Sequence, residues 1–299
     1  MREADRGADA RFAELSATDR LTLVYLAALA IAALVLDVPR AALLGGIAAV
    51  ALAILATARA SARSRLGRWL HDFLPVANVI LLFNLSGPVI AASPAGRGDA
   101  SLAALDRALF GALPTAWFGL LGRPAWLVDA VAIVYFSYYL IPVAIGAALY
   151  RAGRRADFER MVFTVVATFL LSYLLYFAAP SLGPRVPPGR EAEVLGGGAL
   201  NRALLSFLHA TEWNALDAFP SGHTAVSLVL LGLTWQMLPR WRAPMVALVA
   251  GIVFSTVYLS LHYVVDLVAG ALLAALMPFA APVLHQMMSP RSRSLAQPS

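Results

Sequence analysis

The segment YVVDLVAGALLAALMPFAAPVL, residues 263–284, contains one charged side chain, Asp266, in an otherwise apolar stretch. A helix needs about 20 mostly apolar residues to cross the hydrocarbon core of a membrane, and this segment is long enough. Its alanine and leucine content favours a helix over the alternating pattern of a membrane-spanning strand. The segment therefore predicts a transmembrane helix and sets the class of structure expected for the chain.

Seven more apolar segments of similar length precede it. They are residues 21–38, 41–59, 72–92, 126–150, 160–179, 223–238 and 245–261. Prolines and asparagines interrupt the third of them. The composition agrees, because 60% hydrophobic and 13% charged residues are typical of a polytopic membrane protein. We predict an all-α membrane bundle of about eight transmembrane helices.

The distribution of arginine predicts the orientation of this bundle. All 23 basic residues are arginines, and eight spans place 16 of them on one side and 7 on the other. Cytoplasmic loops carry the excess of positive charge, so both termini are expected in the cytoplasm. The absence of lysine and the abundance of alanine are typical of a GC-rich bacterial genome. We therefore predict the inner membrane of a bacterium, with Arg185, His223 and His262 together at its outer face.

Composition also excludes several classes of function. The chain has no cysteine, which excludes disulfides, thiolate zinc sites and thiol catalysis. The net charge of +6 is dispersed in short loops, where it sets topology, so no nucleic-acid partner is predicted.

Two outer segments are expected to cover this face. Residues 180–222 are rich in proline and glycine and predict an irregular loop. Residues 93–125 predict short amphipathic helices along the membrane interface, with Trp117 and Trp126 at headgroup depth.

The tetrapeptide Pro220-Ser221-Gly222-His223 opens the sixth predicted span. A helix start exposes unpaired N–H groups and the positive end of the helix dipole, which suits a phosphate group. Ser221 can cap the helix or bind the phosphate, and Gly222 allows close approach of the backbone. A capped helix with an interfacial histidine is the structural alternative.

His262 and Asp266 form the second motif, four residues apart and on one face if the stretch is helical. A carboxylate that holds one imidazole nitrogen protonated leaves the other nitrogen free to attack or to accept a proton. A carboxylate inside an apolar span is costly unless it is paired, and is a functional candidate. A self-satisfied structural pair and a His₂Asp metal site are the alternatives, although no further metal-ligand motif is evident.

These motifs resemble those of the type 2 phosphatidic acid phosphatase superfamily. The signature P-S-G-H is intact at 220–223, and S-R-x5-H-x3-D aligns with Ser255, His262 and Asp266, with Thr256 in place of its arginine. The signature K-x6-R-P falls at Arg185. Ala178 then occupies its lysine position, and Val186 its proline position. Two cations of the family pattern are therefore missing.

The chain is more similar to one branch of this superfamily. Residues 105–111, Gly183-Pro184-Arg185 and His262-Tyr263 resemble the inositol phosphorylceramide synthases and their bacterial relatives, over about residues 65–285. We therefore expect a cytoplasmic tail with two extra transmembrane helices in 1–64, a catalytic membrane domain with a six-helix core in 65–287 and a cytoplasmic tail in 288–299.

The resemblance implies a two-step phosphoryl transfer without cofactor or metal. His262 would attack phosphorus to form a phosphohistidine, oriented by Asp266, and His223 would protonate the leaving oxygen. Arg185, Ser221 and the Gly222 amide would stabilise the phosphoryl oxygens. The substrate would be a lipid phosphate, and the acceptor either an inositol or other polyol hydroxyl, or water.

Water as acceptor would make the protein a lipid phosphate or polyprenyl pyrophosphate phosphatase. Arg190 or Arg202 could replace the missing cations. A non-catalytic transporter or assembly protein with a structural or proton-relaying His/Asp pair is the alternative from another class. Convergence of Arg185 on both histidines would argue against it, because a proton relay needs no fixed guanidinium.

Overall fold

The computed structural model describes residues 15–120, 122–185, 197–212 and 214–289. Within these ranges the chain is helical and contains no strand, as predicted. The helices are α1 (Ala17–Val35), α2 (Arg40–Ser61), α3 (Arg65–Ala91), α4 (Asp99–Phe110), α5 (Pro114–Leu120), α6 (Ala125–Arg151), α7 (Arg155–Ala178), α8 (Ala199–Thr211), α9 (Gly222–Met237), α10 (Arg242–Tyr258) and α11 (Val264–Met288), with a 3₁₀ turn at Pro239–Trp241 before α10.

Eight of these helices coincide with the predicted apolar segments. Among the described residues, seven helices are long and apolar enough to cross a membrane. The eighth, α9, has only 16 residues. Its ends still lie at opposite ends of the bundle: Ser221 adjoins the start of α11, while Arg154, between α6 and α7, donates a hydrogen bond to the carbonyl of Met237 at 2.5 Å.

The short length of α9 has a geometric cause. His223, its second residue, lies against Tyr135 and Tyr138 of α6, with ring centroids 4.7 and 4.3 Å away. Tyr135 lies ten residues after the start of α6 at Ala125, or about 15 Å along a helix. Because α9 begins inside the bundle, a 16-residue helix reaches the opposite end. The end of α9 that carries His223 is therefore recessed.

Of the three hydrophobic clusters among the described residues, two hold most of the long helices together. In the first, α9 packs against α7, α10 and α11 around fully buried residues such as Leu230 and Ile252. In the second, α1 and α2 pack against α3 and α7 around Leu82 and Ile54. The two helices that precede the predicted catalytic domain are therefore attached to it through a shared apolar core.

The segments at the recessed end differ partly from the prediction. Residues 93–125 do contain two short helices, α4 and α5. The 180–222 loop is not wholly irregular, because it contains α8. The start of α8 has no local side-chain cap; instead Asp129 of α6 accepts hydrogen bonds from the N–H groups of Gly198 and Asn201, at 2.8 and 3.0 Å. A cap supplied from a distant helix leaves no signal in the local sequence.

Candidate active site

The start of α9 is tied directly to α11. The Ser221 hydroxyl caps α9 by accepting from the N–H of Thr224 at 3.2 Å, and the Ser221 N–H donates to the carbonyl of Asp266 at 2.9 Å. A Cβ at Gly222 would collide with the Tyr176 hydroxyl, and one at Gly270 with the Ser221 carbonyl. Glycine at 270 therefore permits the close approach of α11 to the start of α9, and glycine at 222 permits the close approach of α9 to Tyr176 of α7.

His262 lies in the loop before α11 and not on the helix. The helix begins at Val264 with Tyr263 as its N-cap, and the Asp266 carboxylate accepts from the Tyr263 N–H at 2.8 Å. The placement of His262 and Asp266 one turn apart required this stretch to be helical, and at His262 it is not. An ordinary N-terminal capping interaction occupies Asp266 Oδ2, and the helix begins at Val264, two residues after His262.

The two side chains nevertheless lie close together. His262 is 1% exposed, and its Nδ1 is 2.9 Å from the carbonyl oxygen of Ala218 and 3.5 Å from Asp266 Oδ2. Because a carbonyl only accepts, this contact assigns the proton to Nδ1 and leaves a lone pair on Nε2. The Ala218 carbonyl is the nearer partner, and the carboxylate is the second.

His223 lies between aromatic rings and faces His262. The two imidazole centroids are 5.6 Å apart, and Tyr139 adds a third tyrosine ring at 6.2 Å. The buried His223 Nε2 has no hydrogen-bond partner among the described residues. The arrangement presents two imidazoles to one small space.

Arg185 is the third member of this group. Its guanidinium forms an ion pair with Asp217, and Asp217 and His223 line the same cavity. Burial lowers the pKa of Arg185, but Asp217 and neighbouring groups more than offset this, so the net shift is upward and the side chain remains charged. The structure thus brings Arg185, Ser221, Gly222, His223, His262 and Asp266 to one end of the bundle.

Sequence motifs did not identify two acidic residues beside Arg185. Asp217 pairs with it, and Glu212 accepts a hydrogen bond from the Tyr139 hydroxyl at 2.6 Å. Burial, reinforced by the charge of Asp217, raises the pKa of Glu212 to about 7. Both residues belong to the segment predicted as an irregular loop, and no spacing pattern distinguishes them.

The structure shows where the two residues lie that replace the lysine and the arginine of the family signatures. Ala178 ends α7, and Thr256 is fully buried in α10 with its hydroxyl donating to the carbonyl of Val253 at 2.8 Å. Arg202 is exposed and donates to the carbonyl of Gly197, while Arg190 lies outside the described residues. Within the described ranges, no group of three or more His, Cys, Asp or Glu side chains could hold a metal ion.

A largely apolar cavity of about 260 Å³ leads away from His223. Its walls come from α3, α6, α7 and α8, and it extends from His223 and Asp217 to Asp72 near the opposite end. Helices α3 and α6 both pack against α7 but make few contacts with each other, so the cavity lies in the gap between them. Phe73 closes its far end against Tyr150 and Phe158, at ring centroid distances of 5.4 and 5.6 Å.

The fold is that of an integral membrane helix bundle, with two histidine motifs and a buried ion pair at one end. The chain belongs to the PAP2 superfamily, whose family model matches residues 100–288. This match includes Arg185 and both histidine motifs, and it leaves α1, α2 and α3 outside.

A distant relative supports the branch within this superfamily. The chain is 27% identical over 192 residues to the inositol phosphorylceramide synthase of Candida albicans (strain SC5314 / ATCC MYA-2876). The match covers 58% of this chain and 40% of the relative, so the chain spans well under two thirds of that protein's length. No solved structure matches the chain.

Proposed function

We propose that this protein transfers a phosphoryl group, or a headgroup linked through phosphate, from a lipid to a hydroxyl acceptor by way of a phosphohistidine at His262. The observation that carries the proposal is that the His223 and His262 imidazoles lie together beside the Arg185–Asp217 ion pair, at the end of an apolar cavity that His223 and Asp217 line. A structural or proton-relaying His/Asp pair would not need Arg185 beside it, which argues against a non-catalytic transporter or assembly protein.

In the first step, His262 Nε2 attacks phosphorus while the bond from phosphorus to the leaving lipid oxygen breaks. The Nδ1 proton remains directed at the Ala218 carbonyl, and the Asp266 carboxylate 3.5 Å away stabilises the positive charge that develops on the ring. His223 gives its proton to the leaving oxygen. Arg185 and the amide at the start of α9 stabilise the phosphoryl oxygens.

In the second step, a hydroxyl oxygen attacks phosphorus while the bond from phosphorus to His262 Nε2 breaks, which returns His262 to its neutral form. His223, now unprotonated, takes the proton of the attacking hydroxyl, so that the cycle closes without net change in the enzyme. The similarity to inositol phosphorylceramide synthase favours an alcohol acceptor. With water as acceptor, the same steps describe a lipid phosphate or polyprenyl pyrophosphate phosphatase.

The cavity between α3 and α6 supports a lipid substrate. Its lining is mostly aliphatic and aromatic, and it begins at His223, where the reacting phosphate would lie. A phosphate held at His223 would thus place its attached hydrocarbon in the gap between α3 and α6.

Blocking this cavity should impair long-chain substrates selectively. Val143 lines it on α6, so Val143→Trp should lower kcat/KM for a long-chain lipid phosphate about tenfold or more, because an overpacked contact costs about 1–3 kcal/mol. A short-chain, water-soluble phosphate should be affected much less. Ile133→Trp is the matched control, since Ile133 is 54% exposed on the same helix and outside the cavity lining. Equal losses on both substrates would argue against the lipid assignment.

The orientation can be tested cleanly because the chain has no cysteine. We propose that the site faces the outside of a bacterial inner membrane, as the arginine distribution predicts. A membrane-impermeant maleimide should label exposed Ala95→Cys in intact spheroplasts, and exposed Ala152→Cys only after lysis. Labelling of both positions before lysis, or the reverse pattern, would contradict this topology.

The reaction itself is tested with purified protein and a panel of lipid phosphates, pyrophosphates and phosphoinositides, each with and without alcohol and polyol acceptors. Products identified by mass spectrometry should include a new phosphodiester or phosphomonoester of the acceptor. Release of inorganic phosphate alone would identify a phosphatase. No turnover with any donor would support the non-catalytic alternative.

A further inference from the structure

Helix α4 contacts both loops that carry the proposed reacting and phosphate-binding groups. Its two aspartates, Asp99 and Asp106, are seven residues apart, so they lie two turns apart on one face of the helix. On another part of its surface, Leu105 and Leu109 are 51% and 65% exposed. The acidic face is therefore turned to the bundle, while apolar side chains remain available to the membrane interface.

Asp106 holds the start of α11. It is fully buried, and its two carboxylate oxygens accept hydrogen bonds from the N–H groups of Val264 at 2.9 Å and Val265 at 3.0 Å. A negative charge at this point also complements the positive end of the helix dipole. Since His262 immediately precedes the N-cap of α11 and Asp266 lies in its first turn, Asp106 fixes the backbone on which both are mounted.

Asp99 holds the loop that leads to Arg185. One of its carboxylate oxygens accepts from the N–H groups of Leu182 at 2.9 Å and Gly183 at 3.0 Å. Gly183 has a φ of 74°, and a Cβ there would collide with the Leu261 carbonyl next to His262. The Arg185 loop and the His262 loop are thus in direct contact, and each is bonded to α4.

We propose that Asp106 and Asp99 are positioning residues, and that α4 sets the separation between the His262 nucleophile and the Arg185 phosphate clamp. This inference rests on the proposed function. The two aspartates have different roles in this proposal. Asp106 acts through His262 on the chemical step, and Asp99 acts through Arg185 on recognition of the phosphate. A purely structural role would not separate these effects.

The test compares Asp106→Asn and Asp99→Asn with Asp129→Asn in the full-length protein. Asp129 is a matched control because its carboxylate also accepts two backbone N–H bonds at a helix start, that of α8, away from both motif loops. We expect Asp106→Asn to lower kcat at least about tenfold with little change in KM. Asp99→Asn should mainly raise KM, and Asp129→Asn should stay within about twofold of wild type.

Amide hydrogen exchange gives a readout that does not depend on activity. Exchange should rise at residues 260–266 in Asp106→Asn and at residues 181–185 in Asp99→Asn, and at neither segment in Asp129→Asn. If Asp106→Asn does not fold, the KM and the local exchange of Asp99→Asn test the proposal. Activity losses that follow thermal stability equally in all three variants, or unchanged local exchange, would overturn the proposal. A wild-type protein inactive on every donor would instead reject the proposed function, while the exchange pattern would still test the positioning.

Discussion

Replacing His262 with alanine is expected to abolish turnover, with a loss of at least about 10⁴-fold, because no other group can form the covalent intermediate. The His262 side chain is buried and bonded to the Ala218 carbonyl, so its loss also affects packing. His262→Gln, which retains a polar side chain able to donate to that carbonyl, should be equally inactive and better folded. The measurement is product formation by purified protein whose folding is checked by thermal unfolding.

His223→Ala provides the informative comparison. A general acid contributes about 10²–10⁴-fold, so the variant should lose that much activity on a natural lipid. It should lose much less on an aryl phosphate, whose leaving oxygen needs little protonation. Folded His262→Gln that turns over the natural substrate at a rate near wild type would reject His262 as the nucleophile.

The second large effect is expected at Arg185. Arg185→Lys should lower kcat/KM at least about tenfold, since a charged hydrogen bond to the phosphoryl oxygens is worth about 1.5–3 kcal/mol and lysine cannot reproduce the planar fork of arginine. Arg185→Ala should lose more, because it also leaves the carboxylate of Asp217 without its partner beside the phosphate. Steady-state kinetics on the preferred donor measures both.

The ion pair between Arg185 and Asp217 allows a further test of Arg185 as the phosphate-binding residue. The double variant Arg185→Ala/Asp217→Asn should be more active than Arg185→Ala alone, since removal of the carboxylate relieves its repulsion of the phosphate. Arg202→Ala, at an exposed arginine bonded to the Gly197 carbonyl, should be close to wild type. Full activity in Arg185→Ala with loss in Arg190→Ala or Arg202→Ala would place the clamp further along the loop.

The membrane-spanning helices could be predicted because each one is a long run of apolar residues in the sequence. What could not be predicted depends on contacts between distant residues. The start of α8 is capped by Asp129, about 70 residues earlier in the chain. The recessed start of α9 follows from packing of His223 on α6, which no property of the α9 sequence reveals.

In the candidate site, too, the motif residues could be predicted from the sequence and the residues that depend on distant contacts could not. The motif residues were recognisable from their spacing, and the structure brings them together, but the spacing misrepresented the backbone at His262. Asp99, Asp106 and Glu212 were not identified as site residues, because each acts through a contact with a residue far away in the chain. An isolated carboxylate in an amphipathic helix or loop has the same local appearance whether it is solvated or holds a distant backbone N–H.

The central claim is that His262 carries the phosphoryl group, and rapid quenching tests it most directly. Purified protein is mixed with a donor that is radiolabelled in its phosphate, denatured within milliseconds to seconds, and digested for peptide mapping. The account predicts a label that is stable in alkali, labile in acid and confined to the peptide containing His262. That label should disappear when acceptor is added and should be absent from His262→Gln. Multiple turnovers by wild-type protein with no covalent label, or with the label on another residue, would contradict it.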